Sequence, residues 1–455
     1  MSKSPYIVAV EIGSSKIKGA VGQVDPSGTL IVKGIEEEHQ HPNYVRYGCV
    51  QNVREVANEL NRVITKLNNR ISPSRISSVY IGVGGRSLKA TSASLQLSLA
   101  EDTEITAEMV EQLLRRATVA AADAEKLAVE PMEFIVDGKS QGPDAVGLLA
   151  HELSAKVNIV SCRSQILRNL QLSVTDKLDL KINGYVVRPL AMADLVLTSE
   201  EKRLGVMLVD CGAETTTVAI YKGGVLIYLA TVPLGSRHIT RDLTKLSLTD
   251  DRAEDIKRSI GDARPSEAHG GTIDDIDNTR YNNVIAARTA EIVANIVAQI
   301  NYANLTISDL SAGIVIVGGG SMLKGFAETL AQTSTVSVRR GALPVSVKMP
   351  GTKISTTEDL DVISLLYELS LRNDLVACTM EPAPVDNNAT EPDSSGLADE
   401  SDLSTTTRPD PDGDGFGEID TEAKPKRTLS QIIGDAWRNM TKPATIDYFD
   451  DNEDE

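Results

Sequence analysis

Residues 6–21 read YIVAVEIGSSKIKGAV and residues 206–220 read VMLVDCGAETTTVAI. Each stretch opens with an apolar run and reaches an acid, Glu11 or Asp210. A glycine follows two positions later, Gly13 or Gly212, and then a second apolar run, Gly19-Ala20-Val21 or Val218-Ala219-Ile220. Short apolar runs bounded by turn residues read as buried strands, and glycine supplies the backbone freedom and close approach such a turn needs. The repetition predicts two related α/β halves facing one another. A third buried strand, Ile314–Val317, runs into Gly318-Gly319-Gly320-Ser321 and a further helix.

Outward from these turns, Val53, Val56, Ala57, Leu60, Val63, Ile64 and Leu67 recur at helical spacing, and Ser72-Pro73 ends that helix. Ile76–Val83 reads as a strand, 107–124 as a helix, and 288–303 as a helix with Ile292, Val293, Ile296, Val297 and Ile300 inward.

Hairpin turns present backbone N–H groups that can cradle phosphate oxygens. One glycine-rich turn is weak evidence, but three following three buried strands point to a nucleotide cleft. Gly13, Ser14 and Ser15, Gly212 and Thr215, and Gly318, Gly319, Gly320 and Ser321 are the candidate contacts, with Glu11 and Asp210 placed to hold Mg²⁺ through water and to orient an attacking water. No P-loop signature occurs, and Leu323 stands where a dinucleotide fingerprint after Gly318 needs its third glycine. The Gly82–Gly85 run reads as the end of a strand.

The 455 residues carry a net charge of −18, but the acidity is concentrated at the end. Between Glu381 and Glu422 there are 13 acids against Arg408 alone. That segment is rich in Pro, Ser, Thr and Gly, and is expected to be a disordered tether. The body is close to neutral with no evident basic patch, so nucleic acid is not an expected partner. Four scattered cysteines suggest neither a disulfide framework nor a zinc site. No signal peptide or spanning segment is read, so a cytoplasmic protein is expected.

Beyond the tether, Leu429, Ile432, Ile433, Ala436, Trp437 and Met440 share one helical face, with Arg427, Asp435, Arg438 and Lys442 opposite. Packing on the protein's own core is the commoner fate of such a face. Here a tether precedes it, and the chain's one tryptophan, Trp437, sits at the face's edge where an interfacial ring belongs. Lys424, Lys426 and Arg427 suit anionic lipid. The expectation is an anchor that folds on the membrane without spanning it, opposed electrostatically by the acidic end, Asp447–Glu455.

Glu11-Ile12-Gly13-Ser14, Asp210-x-Gly212 and Gly318-Gly319-Gly320 resemble the phosphate-1, phosphate-2 and adenosine motifs of the actin/Hsp70/sugar-kinase superfamily. Within it the chain resembles the FtsA family of bacterial cell-division proteins, as a divergent member. Residues 76–81, 146–148 and 155–157 resemble that family's inserted subdomain, and 204–221 its second hairpin. The resemblance covers about residues 5–375 and the terminal helix. It implies an actin-like (ribonuclease H-like) two-lobed fold with ATP and Mg²⁺ between the lobes, and places Lys18 near the phosphates. Gly235 falls at the turn to the outer subdomain, and Glu254, Lys257 and Arg258 on a helix bordering the adenine. The implied subdomains are 1A at 1–78 and 161–195, an insertion (1C, SHS2-like) at 79–160, 2A at 196–235 and 307–380, and 2B at 236–306. A linker at 381–423, an amphipathic helix at 424–442 and an acidic tail at 443–455 follow.

The implied role is to tether the tubulin-like polymer FtsZ to the cytoplasmic face of the inner membrane at the septum. The protein would also self-associate and recruit later division proteins, with at most weak ATPase activity. Ala213 and Glu214 replace the last two glycines of the family's usual second turn, which narrows the approach to phosphate and adds negative charge. A small-molecule kinase and an actin-like pilus or secretion platform component remain the alternatives. An Hsp70-like chaperone does not fit, because no β-rich substrate domain follows.

Overall fold

The computed structural model describes residues 5–380, apart from 120, 265–271, 274–275, 351–357 and 373–374. The tether, the amphipathic helix with Arg427–Met440 and the acidic tail lie outside the described residues.

The two quoted stretches form the same structure twice. Ile7–Ile12 pairs antiparallel with Lys16–Val24 and lies parallel to Ser78–Val83; Val206–Cys211 pairs antiparallel with Thr216–Lys222 and lies parallel to Ile314–Val317. The turns match as well: the Gly13 N–H donates to the Lys16 carbonyl at 2.9 Å, and the Gly212 N–H to the Thr215 carbonyl at 2.8 Å.

The first sheet runs, in spatial order, Lys181–Val187, Ser78–Val83, Ile7–Ile12, Lys16–Val24, Leu30–His39 and Val347–Lys348. The second runs Val225–Val232, Thr216–Lys222, Val206–Cys211, Ile314–Val317 and Val338–Arg340. In the second sheet, Met207, Val209, Ile314 and Ile316 join the core beneath the outer helices, while Val206, Leu208, Val315 and Val317 join the core shared with the first lobe. A sheet covered on both faces requires uninterrupted apolar strands, which is why these strands read so clearly in the sequence.

The helix Val53–Ile71 starts where the Asn52 side chain accepts the Glu55 N–H, and buries Val56, Leu60, Val63 and Leu67 against the first sheet. The second predicted helix is shorter than expected. It covers only Ala107–Arg115, where the N–H groups of Arg116 and Ala117 bond three residues back and tighten the last turn. Thr118 and Val119 follow, and a strand begins at Ala124. The third is longer than read, Thr279–Tyr302.

An inserted four-stranded antiparallel sheet, ordered Lys139–Gly142, Ala124–Val136, Leu149–Arg163 and Lys89–Glu104, has its own core around Leu113, Phe134, Leu153 and Val157. Two of the expected boundaries differ here. Ser78–Val83 belongs to the first-lobe sheet, so the inserted sheet begins at Lys89. The chain also returns to the first lobe well before residue 380. Val347–Lys348 extends the first sheet, Leu360–Ser370 packs on that sheet and on the helix Arg188–Val196, and Thr379–Met380 pairs with Arg75–Ile76. Leu360, Ile363, Leu365, Leu366 and Leu369 are buried there. An apolar helix reads the same whichever lobe it covers, so its sequence did not reveal the crossing.

Candidate functional site

A cavity of about 1280 Å³ opens between the two hairpins. Glu11, Gly13, Ser14, Ser15, Lys18, Asp210, Gly212, Thr215, Glu254, Lys257, Gly318, Gly319 and Gly320 all line it. Three turns and one outer helix, far apart in sequence, thus meet at a single space. Gly235 and Ser321, also expected there, do not line it. Gly235 is where the helix Ser236–Thr244 meets the second turn: a Cβ there would sit 2.6 Å from the Ala213 carbonyl oxygen. The Ser236 and Arg237 N–H groups donate to the Gly212 and Ala213 carbonyls from that helix's first turn. Ser321 turns inward, its hydroxyl donating to the Gly318 carbonyl at 2.8 Å.

Gly318 holds φ at +83°, and a Cβ on it would meet Asp210 Oδ1 at 2.5 Å. Only glycine fits this position, which lets the third turn lie against the second. Around Gly319 a Cβ would meet nothing within 4 Å, so the turn faces open space.

The two acids are not a vacant pair. Arg188, the first residue of the helix Arg188–Val196, inserts between them. Its Nη1 donates to Glu11 Oε1 at 2.8 Å and its Nη2 lies 2.9 Å from Asp210 Oδ2. Burial pushes the Glu11 carboxyl up to about 7, against the pull of Arg188. For Arg188, burial opposes the charge, yet Asp210 and Glu11 hold it above the ordinary arginine range. Arg188 Nε is buried and has no hydrogen-bond partner among the described residues.

Lys18 lines the cavity, but its ammonium is engaged elsewhere. It bonds the Glu358 carbonyl and lies 3.1 Å from Asp359 Oδ1 and 3.2 Å from Asp361 Oδ1, at the start of Leu360–Ser370. Burial opposes its charge, but those two carboxylates raise it overall. The expected phosphate lysine is therefore a tie between the first hairpin and the returning chain.

Glu214 corrects a second expectation. Instead of adding charge to the phosphate turn, its fully buried carboxylate accepts the Tyr47 N–H at 2.7 Å and bonds Arg241 Nη2 at 2.7 Å. Arg46 Nε lies at 3.2 Å and Arg237 Nη1 at 3.5 Å. On the outer helix Asp250–Ser259, Lys257 bonds Glu254 at 2.7 Å and the Thr240 hydroxyl at 2.9 Å. Burial lowers the Lys257 pKa, and Glu254 partly restores it.

Sequence reasoning missed Arg188, Arg46, Arg237, Arg241, Asp359, Asp361 and the lining residues Gly84 and Gly85. Arg188 did leave a signal: a cation directly after the apolar end of a strand and before Pro189, where a helix begins, as one does after Gly318. The cavity, the three turns and the unpaired Arg188 Nε–H suit a nucleotide. A divalent cation held by Glu11 and Asp210 does not fit, because Arg188 supplies the charge between them. Among the described residues no group of three or more His, Cys, Asp or Glu side chains is arranged to hold a metal ion.

Paired hairpin lobes, an inserted sheet and a cleft between them define an actin-like ATPase fold. A solved PilM–PilN type IV pilus biogenesis complex matches it with a TM-score of 0.57 over 80% of this chain and 98% of that one, at 16% identity, a likeness that bears on fold alone. Residues 207–357 match the family model described as Cell division protein FtsA, and residues 85–161 match the SHS2 domain inserted in FtsA. Cell division protein FtsA of Porphyromonas gingivalis is 32% identical over 72% of this chain and 70% of its own length. The Pseudomonas aeruginosa protein of the same name is 27% identical over 75% and 84%. The chain belongs to the FtsA family of cell-division proteins. Among the described residues no helix is long and apolar enough to cross a membrane.

Proposed function

We propose that this chain couples the tubulin-like division polymer FtsZ to the cytoplasmic face of the inner membrane at the septum, using bound ATP as a conformational ligand. The observation that carries the ATP reading is the convergence of Glu11–Ser15, Gly212–Thr215 and Gly318–Gly320 on one cavity between lobes. A ligand that touches both hairpins favours the closed arrangement by differential binding. Glu11 and Asp210 are tied to Arg188, so any hydrolysis is slow and the protein acts mainly as an adaptor. Tethering rests on the amphipathic face at Leu429–Met440, the residues Arg427 and Arg438 beside it and anionic lipid beneath it. Self-association strengthens a reversible anchor by raising its effective concentration, and later division proteins join the assembled layer.

The test is co-sedimentation of the full chain with liposomes containing anionic lipid and with purified FtsZ, with and without residues 424–455. FtsZ should pellet with the liposomes only when the full chain is present. Equal recovery without residues 424–455 would overturn the tether.

A further inference from the structure

The geometry points to nucleotide binding that needs no divalent metal, with the Arg188 guanidinium standing in the cation's place between the two acids. This rests on the nucleotide reading above and goes beyond it by naming the charge chemistry of the site. Glu11 comes from the first lobe's hairpin and Asp210 from the second's, 7% and 4% exposed. Two such carboxylates facing one space repel each other, and the repulsion is relieved by a proton on one of them or by a cation between them. A hydrated divalent ion is one solution; a planar guanidinium with its fork of donors is another. Here the second is built into the chain. Nη1 donates to Glu11 and Nη2 forms an ion pair with Asp210, and a Cβ on Gly84 would lie 3.3 Å from Nε, so the glycine leaves the arginine its room.

A further donor, on Nε, is the telling one. Arg188 Nε–H is buried without an acceptor, and a buried donor left unpaired is costly. A phosphate oxygen is the acceptor this cavity is shaped to bring. Lys18 cannot take that role, because Asp359 and Asp361 already hold it. A metal ion coordinated directly by both acids would have to displace the guanidinium that lies between them. The ligand is accordingly a nucleoside triphosphate accepted without its metal.

The experiment is calorimetric titration of the full chain with ATP, once in excess Mg²⁺ and once in EDTA. Dissociation constants agreeing within about threefold are expected; any larger loss in EDTA overturns the inference while leaving the nucleotide reading intact. No heat in either buffer removes the nucleotide reading, and this inference with it. In Arg188→Gln the acids lose their internal cation, and Mg²⁺ should then strengthen ATP binding by at least about tenfold. A folded variant indifferent to Mg²⁺ counts against the assignment. If circular dichroism shows that Arg188→Gln does not fold, the wild-type comparison alone decides.

Discussion

The Tyr47 backbone N–H donates to Glu214 Oε2 at 2.7 Å, joining a loop of the first lobe to the hairpin turn of the second across 167 residues of chain. Arg46 reaches the same carboxylate from the first lobe, and Arg237 and Arg241 reach it from the helix Ser236–Thr244. Glu214 is therefore a buried clasp between the two lobes at the wall of the cleft. In Glu214→Gln three arginines converge on a neutral amide. The cost should be about 2–3 kcal/mol, below that of a fully buried pair because Arg46 and Arg241 are partly exposed and can rehydrate. Urea unfolding should show a lower midpoint with an unchanged slope, and small-angle scattering a larger radius of gyration. An unchanged midpoint would show that the clasp holds nothing.

The third glycine turn separates folding from binding. Gly318→Ala forces a Cβ onto a left-handed residue and against Asp210 Oδ1, and should cost about 1–3 kcal/mol. Gly319→Ala meets open space and should melt within about 0.5 kcal/mol of the parent. Gly319→Asp should also fold, but it places a negative charge where phosphate is expected. Its ATP affinity by calorimetry should fall by tenfold or more, about 1.4 kcal/mol. Equal affinity in Gly319→Asp would remove that turn from the nucleotide site.

These glycines were legible because everything that marks them is local: a buried strand, a turn residue and a helix within a dozen positions. The two-lobed fold was legible for the same reason, since each hairpin repeats one short pattern. What could not be read was the wiring between patterns. Arg188 meets Glu11 from 177 positions away, and Lys18 meets Asp359 from 341 away. Nothing in the residues next to Glu11 or Lys18 names the distant partner that each one meets. The 107–124 helix was overextended because apolar periodicity continues past the point where i→i−3 bonds close the last turn at Ala117. The clasp was misread for a related reason: a glutamate beside a phosphate turn looks repulsive until its arginines are located in space.

Lys18 provides a test of that wiring. Read from sequence alone, Lys18→Ala should mainly weaken nucleotide binding. Read from the structure, it strands Asp359 and Asp361 at the start of Leu360–Ser370, the helix that returns the chain to the first lobe. Removing one partner of a buried ion pair costs roughly 3–5 kcal/mol. Thermal unfolding should therefore drop markedly in Lys18→Ala. The double variant Lys18→Met/Asp361→Asn should recover part of the loss, because it removes charge from both sides. Full stability in Lys18→Ala would return Lys18 to the phosphates.

The anchor is tested independently of the cleft. At helical spacing Trp437 would fall at the edge of the face that Leu429, Ile432, Ile433, Ala436 and Met440 would form, with Lys424, Lys426 and Arg427 leading in. An isolated helix of this length is marginal in water, so its folding and its binding should occur together. Trp437→Glu replaces an interfacial ring with a charge that anionic headgroups repel. The full-length variant should stay in the supernatant when liposomes are pelleted, while its ATP titration and melting curve remain those of the parent. Raising salt should weaken the parent's binding in the same assay, because each basic residue near an anionic surface contributes only about 1 kcal/mol and that contribution is screened. If Trp437→Glu pellets as well as the parent, the proposal of an amphipathic anchor at residues 424–442 fails.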